Sequence, residues 1–193
     1  MARLTSLVPE NTTGKAQELL SAVKSKLGMV PNLMRTLANA PAALEGYLGL
    51  SGALGHGQLA ARDRERIALA IAQANGCDYC LAAHSTLGRM AGLTAEHIRD
   101  SRLGTAVEAK SDAIVRFARK VLDTRGRVSD GDLAVVREHG LSDGEITEIV
   151  AHVALNVLTN YFNNVAQTTV DFPAAEPLVE QEAVCSTGSC QSA

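Results

Sequence analysis

An all-α domain is what this sequence predicts, on three observations. Alanine, leucine and valine dominate an apolar fraction of 46%, while aromatic residues make up only 3%. Such a composition suits closely packed helices better than a β-sandwich. Apolar residues recur at helical spacing along most of the chain, and the punctuation is that of helices: cap residues and prolines at starts, glycines at ends.

Taken in order, the first helix is expected over Lys15–Leu27, with Ala16, Leu19, Leu20, Val23 and Leu27 apolar, Thr12 or Thr13 as cap and Gly28 as stop. Pro31 opens a short helix to Ala38 from a first-turn position. Pro41–Leu54 reads as a third helix, in which Gly46, Gly49 and Gly52 are small enough to admit a close helix contact. Leu59–Ala74 and Cys77–Met90 form a central hairpin about Asn75-Gly76, a pair of residues that tolerate turn conformations. Thr94 caps a short helix to about Ser101, and Ala106–Thr124 is a long amphipathic helix with Ile114, Val115, Phe117, Ala118, Val121 and Leu122 inward. Ser129 starts a helix to Glu138, stopped by Gly140. Ser142 and Glu145 have capping-box spacing and introduce a helix from about Gly144 to Phe162 or beyond.

A shift of 82 residues lays Leu59 on Leu141, Ile67 on Ile149, Ala72 on Ala154 and Tyr79 on Tyr161. The second copy carries no cysteine, and helical spacing alone produces such matches, so duplication and coincidence both stand. After Phe172-Pro173 the composition turns to Ala, Glu, Pro, Ser and Gly. One helical domain is therefore expected over 1–172 and a flexible tail over 173–193. The tail holds Cys185 and Cys190, which are either incidental thiols or carriers of electrons to the inner cysteines.

The net charge of -3, without a lysine or arginine cluster, argues against nucleic acid or an anionic membrane as partner. No window approaches the roughly 18 apolar residues of a membrane span, and the N-terminus lacks a signal-peptide stretch. A cytoplasmic protein is expected, where a C-x-x-C is more often catalytic or metal-binding than a structural staple.

The chemistry concentrates in Glu65 to His84. Cys77, Cys80 and His84 fall at i, i+3 and i+7, one stripe of a helix, and folding at Asn75-Gly76 brings Glu65 beside His84. Two thiols, an imidazole and a carboxylate in one place suit redox chemistry. A thiolate is the reactive form; the helix N-terminus favours it at Cys77, whereas His84, one turn on, favours it at Cys80. The residues themselves leave that choice open. They also leave open a zinc site on Cys77, Cys80 and His84, for which the usual fourth ligand is missing, an inert buried pair, and a Glu65 that merely faces water. His56, His97 and His139 receive no role, His152 is expected to be a hydrogen-bonded core residue, and Tyr79 and Tyr161 either pack or line the site.

Glu65, eleven intervening residues, then Cys77-x-x-Cys80-x-x-x-His84 resembles the alkylhydroperoxidase D (AhpD) family of the carboxymuconolactone decarboxylase superfamily. Met29-Val30-Pro31-Asn32-Leu33-Met34-Arg35-Thr36-Leu37 and Asn160-Tyr161-Phe162-Asn163-Asn164-Val165 are similar to it as well, so the resemblance spans roughly 5–172. It implies an all-helical homo-oligomer and thiol-dependent reduction of hydrogen peroxide or an organic hydroperoxide, with no cofactor or metal. It makes Cys80 the peroxidatic cysteine, Cys77 the resolving one, Glu65 and His84 the proton relay, and an external dithiol the reductant. One position departs: the family's histidine before the second cysteine is Tyr79 here, a poor base near neutral pH with a pKa of about 10. The relay then rests on Glu65 and His84. The superfamily's lyase branch and a redox-sensing interaction protein are the alternatives.

Overall fold

The computed structural model describes residues 2–178. Among them every long regular element is helical: α1 (Gly14–Leu27), α2 (Asn32–Leu37), α3 (Pro41–Leu54), α4 (Ala61–Ala74), α5 (Asp78–Met90), α6 (Ala95–Arg102), α7 (Ala109–Thr124), α8 (Asp130–Glu138) and α9 (Asp143–Ala166). Helix α4 lies at the centre and packs against α5, α6, α7 and α9. Its run of Ile67, Ala68, Leu69, Ala70, Ile71 and Ala72 is buried all round, which is why it reads as continuously apolar rather than striped. On one side Ile67 and Ile71 join Ile114, Phe117, Val136, Ile149 and Val153 in a core shared by α4, α7, α8 and α9. On the other, Leu20, Val23, Leu37 and Leu44 of the first three helices enclose Cys77, Tyr79 and Cys80.

Most expected starts and stops stand within a residue or two, and each larger difference has a local cause. Helix α4 starts at Ala61, because the amides of Gln58 and Leu59 donate to the Glu148 carboxylate at 2.7–3.0 Å instead of entering a helix. Helix α7 starts at Ala109, not Ala106: the Ala106 amide donates to Asp112, and Glu108 pairs with the buried Arg66 guanidinium at 2.7 Å. Pro31 sits at the N-cap of α2 with an extended ψ of 148°, and the next amide, of Asn32, donates to Asp171. Thr13 holds the N-cap position of α1 without a side-chain cap bond, while the Thr12 hydroxyl donates back to the Val8 carbonyl, beyond a 3-10 turn at Pro9–Asn11. The capping boxes at Ser129 and Ser142 form, and another at Thr94 enlists His97.

The glycines of α3 do not do what their size led us to expect. A Cβ built on Gly46, Gly49 or Gly52 meets no atom within 4 Å, because α3 turns Leu44, Tyr47 and Leu48 inward and leaves its glycine face open. The 82-residue echo is matched only at its start. Leu59 and Leu141 are both buried just ahead of α4 and α9, and Ile67 and Ile149 share a core. Where the first copy turns at Asn75-Gly76, α9 runs on unbroken. Beyond α9, residues 173–178 have no regular structure, although Ala175 packs against the core and the Glu176 carbonyl accepts from Arg102. Cys185 and Cys190 lie outside the described residues.

The clamp that starts α4 has a steric condition. A Cβ on Gly57 would lie 2.5–2.7 Å from the Glu148 carboxyl group, so only glycine lets the loop approach it. Glu148→Ala is expected to cost about 1–3 kcal/mol by stranding partly buried amides, and Gly57→Ala a similar amount by pushing the carboxylate away. Urea unfolding of the two singles and the double checks this: the double should cost no more than the larger single.

Candidate active site

The turn between α4 and α5 fixes the first cysteine. Gly76 has φ 57° and its amide donates to the Gln73 carbonyl, while the Cys77 amide donates to that of Ala72 at 3.0 Å. This pair of bonds ends α4 in a Schellman motif, with glycine at the left-handed position. Cys77 is therefore the residue that closes one helix and, as N-cap, opens the next; its sulfur accepts from the Cys80 amide at 3.4 Å. It stands just outside the helix rather than in its first turn, as the spacing had implied. Asn164 and Asn160 of α9 hold the same turn, the former donating to the Asn75 carbonyl and the latter accepting from the Asn75 side chain.

Glu65 and His84 meet as the hairpin requires. The Glu65 carboxylate lies 2.8 Å from His84 Nδ1, each side chain about one-fifth exposed. Glu65 is thus a partner in the site, not a solvated first-turn acid. A carboxylate acceptor assigns the proton to Nδ1 and leaves Nε2 as the working nitrogen. Both cysteines are free and buried, Cys77 at 0% and Cys80 at 2% exposure, so neither offers an external thiol an open sulfur.

The two thiols are driven apart electrostatically. Cys80 is lowered to about 6, first by its hydrogen bond from Cys77, against the penalty of burial, and then by the His84 charge and by Asn163 and Asn160. Asn163 Nδ2 donates directly to the Cys80 sulfur at 3.2 Å. Cys77 is pushed up, mainly because it serves as proton donor to Cys80, then by burial. Burial alone would push His84 down; the charge and hydrogen bond of Glu65 outweigh it, and the net direction is up. Thiolate and imidazolium are the mutually favoured forms. Of the two thiols, Cys80 is the one whose surroundings favour the thiolate. Among the described residues no three of His, Cys, Asp or Glu converge as a metal-binding group.

Tyr79 has its hydroxyl engaged elsewhere. Its hydroxyl accepts from the Leu33 amide at 3.1 Å, its ring packs edge-on against Phe172, and burial pushes its phenol up. It ties α2 and the segment after α9 to the start of α5. Tyr161 is 55% exposed and does not line the site. His152 is buried, as expected, yet its Nε2 has no hydrogen-bond partner, and burial followed by the Arg64 charge lowers its proton affinity. The sequence reading missed Asn163, Asn160 and Tyr47. Asparagines at 156, 160 and 163 of a long apolar helix were the available signal for a polar buried stripe. Tyr47 packs against the cluster that contains Cys80, and only its place on α3 reveals it.

Residues 41–124, from the start of α3 to the end of α7, match the family model described as the carboxymuconolactone decarboxylase family. No curated protein matches the chain. A peroxidase-related protein from Ralstonia eutropha JMP134, with an alkylhydroperoxidase AhpD core, superposes with a TM-score of 0.80 at 26% identity, covering 88% of this chain and 92% of its own. A peroxidase-related protein from Silicibacter sp. TM1040 gives 0.76 at 23% identity over 88% and 94%. The debrominase Bmp8, solved with 2,3,4-tribromopyrrole, shares the fold at 0.73 and 15% identity over 89% and 94%.

Removing the Asn163 amide should raise the Cys80 pKa. Hydrogen bonds to charged groups contribute about 1.5–3 kcal/mol, and about 1.4 kcal/mol corresponds to one pH unit, so a rise of about one to two units is expected in Asn163→Ala. The pH profile of iodoacetamide alkylation, read by mass spectrometry at Cys80, checks it; an unmoved midpoint would separate Asn163 from the thiolate.

Proposed function

The chain belongs to the AhpD-like carboxymuconolactone decarboxylase superfamily, and from that premise we propose that it is a thiol-dependent peroxidase. The observation that carries the reading is the arrangement of Cys80 as favoured thiolate, with Cys77 as its protonated neighbour and a Glu65–His84 pair alongside. The Cys80 thiolate attacks one oxygen of a hydroperoxide; the S–O bond forms as the O–O bond breaks. The departing alkoxide, or hydroxide from hydrogen peroxide, takes a proton from His84, whose positive charge Glu65 sustains. Once Cys80 is a neutral sulfenic acid, the main cause that kept Cys77 protonated is gone. Cys77 then loses its proton and attacks the Cys80 sulfur, forming the disulfide and expelling water. An external dithiol restores both thiols by exchange and leaves as its own disulfide.

Burial selects the substrate and constrains the reductant. A small peroxide entering beside the partly exposed Glu65 and His84 fits sulfurs that are closed to bulk solvent, whereas an external dithiol requires local opening about the disulfide. Homo-oligomeric assembly belongs to the same proposal, with the open glycine face of α3 as the backbone a second copy would cover. The lyase alternative gives the thiolate no task, and a redox-sensing protein gives none to the proton donor.

Three outcomes test the roles. Cys80→Ser should lose peroxide turnover, whereas Cys77→Ser should form one sulfenic acid per chain and stop; sulfenic acid on Cys77 of the Cys80→Ser protein reverses the assignment. Glu65→Gln and His84→Ala should each slow sulfenate formation by about 100-fold or more, within the usual range of general acid–base contributions. The double variant should be little worse than either, since the two residues act as one; multiplicative losses would mean they act separately. In the native protein the rate should fall as pH drops through about 6, where the Cys80 thiolate takes up a proton, and fall again above the raised pKa of His84, where the acid is lost.

A further inference from the structure

A cleft of about 340 Å³ lies between α5, α6 and residues 176–178, away from the cysteines. On α5 it is lined by Ser85 and Arg89, a face about 100° round the helix from His84. Its volume is within the range of small-molecule sites.

Two buried groups in its lining lack the partners their chemistry calls for. Ser85 is 2% exposed, and its hydroxyl has no hydrogen-bond partner among the described residues. Arg102 is 7% exposed and donates Nε to the Gln73 side-chain carbonyl at 2.9 Å and Nη1 to the Glu176 main-chain carbonyl. Both acceptors are neutral, and Arg102 forms no ion pair among the described residues. A guanidinium taken out of water with only carbonyls to receive it has not recovered its hydration; burial accordingly lowers its pKa, with the Glu176 charge opposing. Arg89 and Arg99 stand at the exposed rim, the latter already paired with Asp100 at 3.2 Å. Glu96 also lines the cleft, so anionic recognition falls to the buried end and not to the rim as a whole. Ile98, Pro177 and Leu178 supply an apolar wall.

We propose that this cleft binds a small organic oxyanion, a carboxylate or a phosphate ester, with its anionic end on Arg102 and Ser85 and its apolar body on Ile98, Pro177 and Leu178. Among the described residues nothing accepts from Arg102 Nη2, and a planar guanidinium suits the geometry of either oxyanion. The Ser85 hydroxyl would donate the second bond. The anion would complete the desolvated cation, and the proposal stands independently of the cysteine chemistry.

Calorimetric titration of the full chain with octanoate and with octyl phosphate tests it and tells the two oxyanions apart, with octanol as the neutral control. At least one oxyanion should bind saturably, one per chain, and octanol should not. Arg102→Gln and Ser85→Ala should each weaken binding about tenfold or more, the usual consequence of losing a hydrogen bond to a charged group. Ser85→Ala removes a hydroxyl that bonds nothing among the described residues, so it keeps the test decisive even if Arg102→Gln fails to fold. Absence of binding by both oxyanions, equal binding of octanol, or affinities unchanged in Ser85→Ala would each overturn the proposal. The titration reads no peroxide chemistry, so its failure leaves the peroxidase reading untouched.

Discussion

The proposed chemistry requires an anionic sulfur at Cys80, a position only 2% exposed, where loss of hydration works against it. The site is an answer to that constraint. Cys77 donates a hydrogen bond, Asn163 donates another at 3.2 Å, and His84 supplies positive charge one turn along α5. His84 in turn keeps its charge while largely buried because Glu65 lies 2.8 Å away. Removing any one of these leaves the others holding a charge they were not arranged to hold alone. Such mutual dependence is typical of buried polar networks.

The groups of the site come from three helices, so the fold is what brings them together. Glu65 comes from α4, Cys80 and His84 from α5, and Asn163 from α9. The Schellman turn at Asn75-Gly76 sets the α4–α5 register, and α9 grips that same turn through Asn160 and Asn164. At its other end α9 holds the entry to α4 through Glu148. Helix α9 is thus pinned to the hairpin at both ends, with Asn163 delivered to the sulfur as a consequence. Tyr79, adjacent to Cys80 in sequence, accepts from the Leu33 amide through its hydroxyl and serves the packing around the site instead.

The helical architecture was legible because helix-forming signals are local: Ser142 with Glu145, Thr94, Gly28 and Asn75-Gly76 each act within a turn of the chain. The Glu65–His84 contact was legible for a related reason, since a tight turn makes two distant residues neighbours by symmetry about it. What could not be read depends on non-local groups. The starts of α4 and α7 are set by Glu148 and Arg66, which come from other helices, and the role of Asn163 depends on how α9 is rotated against α5. Which neighbour the glycine face of α3 meets could not be read, because glycine spacing shows that close contact is permitted and not where it is made; within the described residues it is not made.

The central claim is that the buried thiolate–thiol pair delivers two electrons to a peroxide. The direct measurement is a single addition of one equivalent of tert-butyl hydroperoxide to the fully reduced native chain, without any reductant, followed by peroxide assay and intact and peptide mass spectrometry. One peroxide should be consumed per chain, and Cys77 and Cys80 should be recovered joined as a disulfide. Recovery of the peroxide with both thiols still free would contradict it.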